Sequence, residues 1–102
     1  MIQNIKFKEE ELIKLCEKHK VKSLFMFGSA VNGNFNENSD LDFLVHFKAD
    51  VPLLDFADNF FSLMEELGKL FHKEIDLLTS ESVKNPVLSR EIENTKVLLY
   101  AA

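Results

Sequence analysis

The stretch FGSAVNGNFNENSDLDFLV, Phe27 to Val45, decides how the rest of the chain is read. An apolar run, Leu24-Phe25-Met26-Phe27, stops at Gly28-Ser29, and a polar segment follows. Asp40 and Asp42 then bracket Leu41 at the head of a second apolar run. This pattern predicts a short buried strand over Ser23–Phe27, ended by Gly28, and a second strand over Leu41–Phe47. Gly33, Asn34, Asn36 and Asn38 tolerate left-handed or turn backbone, so Ser29 to Asn38 reads as a loop with at most one helical turn at its start.

Elements on either side extend the alternation. Glu9 to Lys20 reads as a helix, with Leu12, Ile13 and Cys16 at helical spacing and three glutamates favourably placed in its first turn. Pro52 fits the first turn of a long helix reaching Phe71. Ala57, Phe60, Phe61, Met64, Leu67 and Phe71 line one face of it, and Leu53, Phe56, Leu63 and Leu70 widen that face. Most of this girth is expected to be buried, leaving a fringe such as Leu53 or Phe56 open for association. Glu74 to Thr79 reads as a third strand, Pro86 to Asn94 as a helix, and Lys96 to Tyr100 as a last strand. The order predicts one small sheet of about four strands with helices packed on it, while the relative strand directions stay open.

The 102 residues make one domain, 1–102, with no room for a second substrate-binding module. A composition 46% hydrophobic and 28% charged argues against disorder, and ten phenylalanines without a tryptophan point to an apolar core. A net charge of -5 with Arg90 as the only arginine argues against sequence-specific nucleic-acid binding, because neutralising phosphates takes clustered lysine and arginine. The single cysteine, Cys16, lies on an apolar helical face, reads as packing, and points to a reducing cytoplasm. The N-terminal stretch MIQNIKFKEEE lacks the apolar core of an export signal, and nothing approaches the roughly 18 apolar residues of a membrane helix, so no membrane association is expected.

Chemistry concentrates in the acidic residues. Residues two apart on a strand project to the same side, so Asp40 and Asp42 point together while Leu41, Phe43 and Val45 point away. In HKEIDLLTS, Ile75 and Leu77 share one side of the third strand and Asp76 faces the other. If the second and third strands are neighbours, Asp76 reaches the Asp40/Asp42 pair. Carboxylates crowded in this way raise at least one pKa unless a cation neutralises them, and hard oxygen ligands select Mg²⁺ or Mn²⁺. A divalent ion on two or three aspartates keeps positions for substrate phosphates, which suits phosphoryl or nucleotidyl transfer. Gly28 lets the backbone approach a phosphate, and Ser29 adds a hydroxyl. Each piece alone has an ordinary structural reading: an Asx turn for Asp40-Leu41-Asp42, a common loop dipeptide for Gly28-Ser29.

Gly28-Ser29, ten residues, then Asp40-Leu41-Asp42-Phe43, with Asp76 in a later strand, resembles the signature of the DNA polymerase β-like nucleotidyltransferase superfamily. From the first helix to the closing REIENTKVLLYAA the chain looks like a minimal nucleotidyltransferase (MNT) domain. The resemblance implies an α+β fold, a mixed sheet flanked by helices. It implies that Asp40, Asp42 and Asp76 bind metal, that Asp76 helps activate the attacking hydroxyl, and that Gly28 and Ser29 hold the triphosphate of ATP. Domains of this size resemble the antitoxin half of toxin–antitoxin modules whose partner is a HEPN ribonuclease. That likeness implies AMP transfer to a tyrosine of the partner within a hetero-oligomer. Two alternatives stand beside it: an antitoxin that inhibits by occlusion alone, and an enzyme modifying a small molecule, for which 102 residues leave little pocket wall.

One departure concerns affinity. Relatives often carry arginines inside the glycine loop, whereas this loop reads Gly28-Ser29-Ala30-Val31-Asn32-Gly33. Charge-assisted bonds to phosphate are worth about 1.5–3 kcal/mol each, so weaker ATP binding is expected unless the partner supplies a cation. Ser39 is placed to orient Asp40 and is counted with the nucleotide-binding residues. His46 shares a strand side with Asp42 but suits Mg²⁺ poorly and reads as a surface residue. His19 and His72 flank helix ends as structural residues, Arg90 and Lys96 read as a solvated face, and Tyr100 as packing.

Overall fold

The computed structural model describes residues 8–32 and 40–102. The elements are α1 (Glu9–Lys18), β1 (Val21–Phe27), a one-turn α2 (Ser29–Asn32), β2 (Leu41–Phe47), a 3-10 turn (Leu53–Asp55), α3 (Phe56–Phe71), β3 (Ile75–Thr79), a second 3-10 turn (Ser80–Ser82), α4 (Pro86–Thr95) and β4 (Val97–Ala101). Their order is the one expected, with one four-stranded sheet in the spatial order β3-β2-β1-β4. β1 runs antiparallel to β2 and β4, and β2 runs parallel to β3, so the sheet is mixed.

The sheet is covered unequally on its two faces. Leu41, Phe43 and Val45 of β2 join Leu24 and Met26 of β1 and Leu77 of β3 in the larger core, closed by Leu12 and Cys16 of α1 and by Leu63, Leu67 and Phe71 of α3. The phenyl rings of Phe43 and Phe71 stack with centroids 5.9 Å apart. Alternation along β1 and β2 sends Phe27 and Leu44 to the opposite face, where Ile92 of α4 covers them beside Phe25, Leu78, Val83 and Leu88. Cys16 is fully buried, and burial pushes its thiol up to about 12, as a packing residue requires.

Several expected boundaries shift, each for a local reason. α1 stops at Lys18 instead of Lys20, because Lys20 adopts φ 57 and turns the chain at once into β1, which begins at Val21 instead of Ser23. Pro52 does not open the long helix: it is extended, with φ -60 and ψ 141, and a 3-10 turn intervenes before Phe56. On α3 the buried line is Leu63, Leu67 and Phe71, flanked by half-buried Phe60, Met64 and Leu70. Ala57 and Phe61 lie outside it, Phe61 at 58% exposure. The apolar positions of this helix span more than one face, and only contact with Phe43 and its neighbours selects which part is covered. The expected fringe is present at Leu53 (89% exposed) and Phe56 (36%).

His19 locks the two helices on the larger face. It is 3% exposed; its Nδ1 lies 2.8 Å from the Leu15 carbonyl oxygen, its Nε2 2.9 Å from Ser62 Oγ and 3.0 Å from Glu66 Oε2. The Asn59 side chain donates to its carbonyl at 2.8 Å. No helix among the described residues is long and apolar enough to cross a membrane.

α4, the only helix among the described residues packed in the smaller core, is fixed at its start by Asn85, whose side-chain oxygen accepts from the N–H groups of Val87 (2.9 Å) and Leu88 (3.4 Å), with Pro86 next in the first turn. Asn85→Ala should cost about 1 kcal/mol, lowering the melting temperature by roughly 5 °C in a thermal melt.

Candidate active site

Period-two alternation and strand register together build the site. Asp42, second residue of β2, is flanked by Phe27 at the end of β1 and by Asp76 of β3, its partner in the parallel ladder. Partners in neighbouring strands project to the same face about 5 Å apart, so the two carboxylates stand side by side. Asp40 precedes β2 directly, and the Leu41 N–H donates to the Glu74 carbonyl at 3.0 Å, tying that entry to the start of β3. All three aspartates predicted from the sequence therefore occupy one end of the β2–β3 pair.

Their crowding has an electrostatic signature. Asp42 is half-buried, and its pKa is raised from the ordinary 3.8 to about 6, first by burial and then by the charges of Asp76, Asp40 and Glu91. Glu91 is a residue the sequence reading missed. It arrives from α4, one position before the buried Ile92, and only the packing of α4 on this particular face brings it near.

The glycine turn closes on the same carboxylate. Gly28 is buried, with φ +78, and a Cβ built there would lie 2.4 Å from Asp42 Oδ2. Only glycine permits that approach. The turn continues into α2 through a bond from the Val31 N–H to the Gly28 carbonyl at 3.0 Å, with Ser29 half-exposed beside it. The Gly28 N–H itself is engaged, donating to Thr95 Oγ1 at 3.2 Å. Any phosphate contact of this turn thus falls to the groups after Gly28. Ser39, expected to orient Asp40 and bind nucleotide, lies with residues 33–38 outside the described residues.

Among the described residues no group of three His, Cys, Asp or Glu side chains is placed to hold a metal ion. Mg²⁺ does not require such a group: it is commonly held by one or two carboxylates and completes its shell with water and substrate phosphate. Adjacent Asp42 and Asp76 with nearby Asp40, all hard oxygen donors whose mutual repulsion a cation would offset, fit such an ion.

The remaining candidates fall elsewhere. His46 shares the sheet face of Asp42 but sits four residues, about 13 Å, along β2, exposed near Ser80 (3.4 Å) and Glu81 (3.9 Å). Lys96 is engaged locally, paired with Glu93 at 3.0 Å and 4.9 Å from the Phe25 ring centroid. Arg90 is exposed, and Tyr100 packs half-buried against the core.

Comparison with known proteins shows the family of the chain. Residues 10–102 match the family described as Polymerase beta, Nucleotidyltransferase. A Methanocaldococcus jannaschii protein, provisionally named a protein adenylyltransferase, is 35% identical over 92 residues, which are 90% of this chain and 88% of that one. Among solved structures, a toxin–antitoxin complex with AMP-PNP superposes with TM-score 0.69 at 23% identity, covering 92% of this chain and 73% of that one. A complex of the tri-AMPylated Shewanella oneidensis HEPN toxin with an MNT antitoxin gives TM-score 0.63 at 19% identity, covering 95% and 72%. These last two likenesses bear on the fold.

Proposed function

The chain belongs to the polymerase beta nucleotidyltransferase family, and from that premise we propose that it transfers AMP from ATP to a tyrosine hydroxyl of a HEPN-domain toxin in the cytoplasm, silencing it as its antitoxin. The observation that carries the reading is the adjacency of Asp42 and Asp76 on one sheet face with Gly28 seated against the Asp42 carboxylate. Support for the acceptor comes from the relatives: one is named for protein adenylylation, and a structural neighbour is a complex containing an AMPylated HEPN toxin.

In this reading the adjacent Asp42 and Asp76 would hold Mg²⁺ or Mn²⁺, with Asp40 beside them as a further oxygen donor. Bound there, a divalent cation supplies charge neutralisation at the phosphoryl oxygens. The tyrosine oxygen attacks the α-phosphorus in line, the bond to the bridging oxygen of the β-phosphate breaks, and pyrophosphate leaves. Asp76, on the exposed side of the pair, takes the phenolic proton. Ser29 and the N–H groups beyond Gly28 hold the triphosphate, together with Ser39. The Ala30-Val31-Asn32 segment contains no cation, so a basic group of the toxin completes the phosphate site.

Incubation with labelled ATP, Mg²⁺ and the HEPN protein encoded beside it should place label on a tyrosine of that protein. Absence of label, or equal labelling by the Asp40→Ala/Asp42→Ala double variant, overturns the assignment. The cation-free loop also favours a second reading, inhibition by occlusion alone. Neutralisation of the toxin that survives the double substitution would select it.

A further inference from the structure

Thr95, the last residue of α4, makes two contacts through one oxygen. Its Oγ1 donates to the Glu91 carbonyl at 2.8 Å and accepts from the Gly28 N–H at 3.2 Å. A hydroxyl carries one proton. With that proton committed to Glu91, the group facing Gly28 is necessarily a lone pair, and the turn's N–H has a fixed acceptor. On its other side Gly28 abuts the Asp42 carboxylate so closely that a Cβ would fall 2.4 Å from Oδ2. The glycine turn is thus held between a hydroxyl on α4 and the carboxylate on β2. Ile92, one helical turn before Thr95, is buried against Phe27 and Leu44 and anchors α4 to the strands that carry Gly28 and Asp42.

We propose that Thr95 is a positioning residue for nucleotidyl transfer: its hydroxyl pins the Gly28 N–H and keeps the glycine turn in register with the Asp42 carboxylate, so that nucleotide and carboxylates meet in the reactive geometry. This rests on the functional reading above. The hydroxyl touches neither nucleotide nor acceptor and acts through Gly28. Thr95→Val keeps the shape and loses the acceptor, leaving a buried N–H unpaired; Thr95→Ser keeps both hydrogen bonds.

Steady-state AMP transfer to the HEPN partner should show Thr95→Ser within about threefold of the unsubstituted protein. Thr95→Val should lose about ten- to a hundredfold in kcat/KM for ATP, the range expected for a stranded buried donor. Asn85→Ala, which weakens α4 at its far end without touching Gly28, separates loss of stability from loss of register: assayed well below its melting temperature, it should keep full kcat/KM. Amide exchange at Gly28, read by NMR on the protein without ATP, should accelerate in Thr95→Val and stay slow in Thr95→Ser. Thr95→Val with kcat/KM within threefold of the unsubstituted protein, Thr95→Ser as impaired as Thr95→Val, or unchanged Gly28 exchange in Thr95→Val overturns the proposal. If the unsubstituted protein transfers no AMP, the functional reading falls instead, and the exchange measurement still decides whether Thr95 pins the turn.

Discussion

Asp42→Asn should reduce AMP transfer by about a thousandfold or more and, without divalent cations at neutral pH, raise the melting temperature. Both effects come from the same charge. A carboxylate that helps hold a cation against the reacting phosphate is asked to supply several kcal/mol of transition-state stabilisation, and about 4 kcal/mol corresponds to a thousandfold. In the cation-free protein that charge is a liability, since burial and the neighbouring Asp76, Asp40 and Glu91 raise the Asp42 pKa from 3.8 to about 6. The folded state binds this proton more tightly than the unfolded state. The resulting stabilisation is complete below about pH 3.8 and disappears as pH rises through about 6. At pH 7.5 the unsubstituted domain therefore carries the full penalty of an ionised, crowded Asp42. A shift of this size corresponds to about 3 kcal/mol, and for a half-exposed group solvent screening cuts it to about 1 kcal/mol. Asparagine removes the penalty, so Asp42→Asn should melt about 5 °C higher at pH 7.5 and show little advantage at pH 3.5. Millimolar Mg²⁺ should narrow or invert the difference, because binding stabilises only the protein that retains the carboxylate. A variant that melts no higher at pH 7.5, or that transfers AMP at the original rate, would contradict the electrostatic account of this site.

The division between what the chain spells out locally and what it leaves to packing is visible in these same residues. Asp40 and Asp42 are legible because alternation on a strand is a local rule, and the stop at Gly28 is legible because a glycine after an apolar run seldom continues a strand. Asp76 is legible only as a condition, since its value depends on β2 and β3 being neighbours, and the parallel register Asp42 to Asp76 is a property of topology. Glu91 and Thr95 are not legible at all. Helical spacing around Ile92 marks a buried line on α4 but does not say that the line meets Phe27 and Leu44, and without that contact neither residue has a reason to stand near Asp42 or Gly28. Phe61 shows the converse error. A helix apolar over more than half its circumference offers several candidate faces, and the sheet chooses Leu63, Leu67 and Phe71.

Gly28→Ala tests the other half of the site, with a double-mutant cycle to separate its causes. The backbone at Gly28 has φ +78, a region that costs an L-residue about 1–2 kcal/mol. The added methyl would also lie 2.4 Å from Asp42 Oδ2, closer than a Cβ approaches any non-bonded neighbour. The atom it meets is the end of a side chain, so the clash can be relieved by swinging the Asp42 carboxylate away. Stability should then fall by about 2 kcal/mol, roughly 10 °C in the melt, while AMP transfer falls at least a hundredfold, the scale associated with misplacing a reacting group by about an ångström. Combining Gly28→Ala with Asp42→Ala removes the obstructing carboxylate, and the stability cost of the glycine substitution should shrink toward the backbone contribution alone. The difference between its cost in the two backgrounds is the coupling between turn and carboxylate. Strict additivity in stability, or a Gly28→Ala protein that retains more than half of its transfer rate, would mean that the glycine turn and the Asp42 carboxylate are not coupled through their close approach.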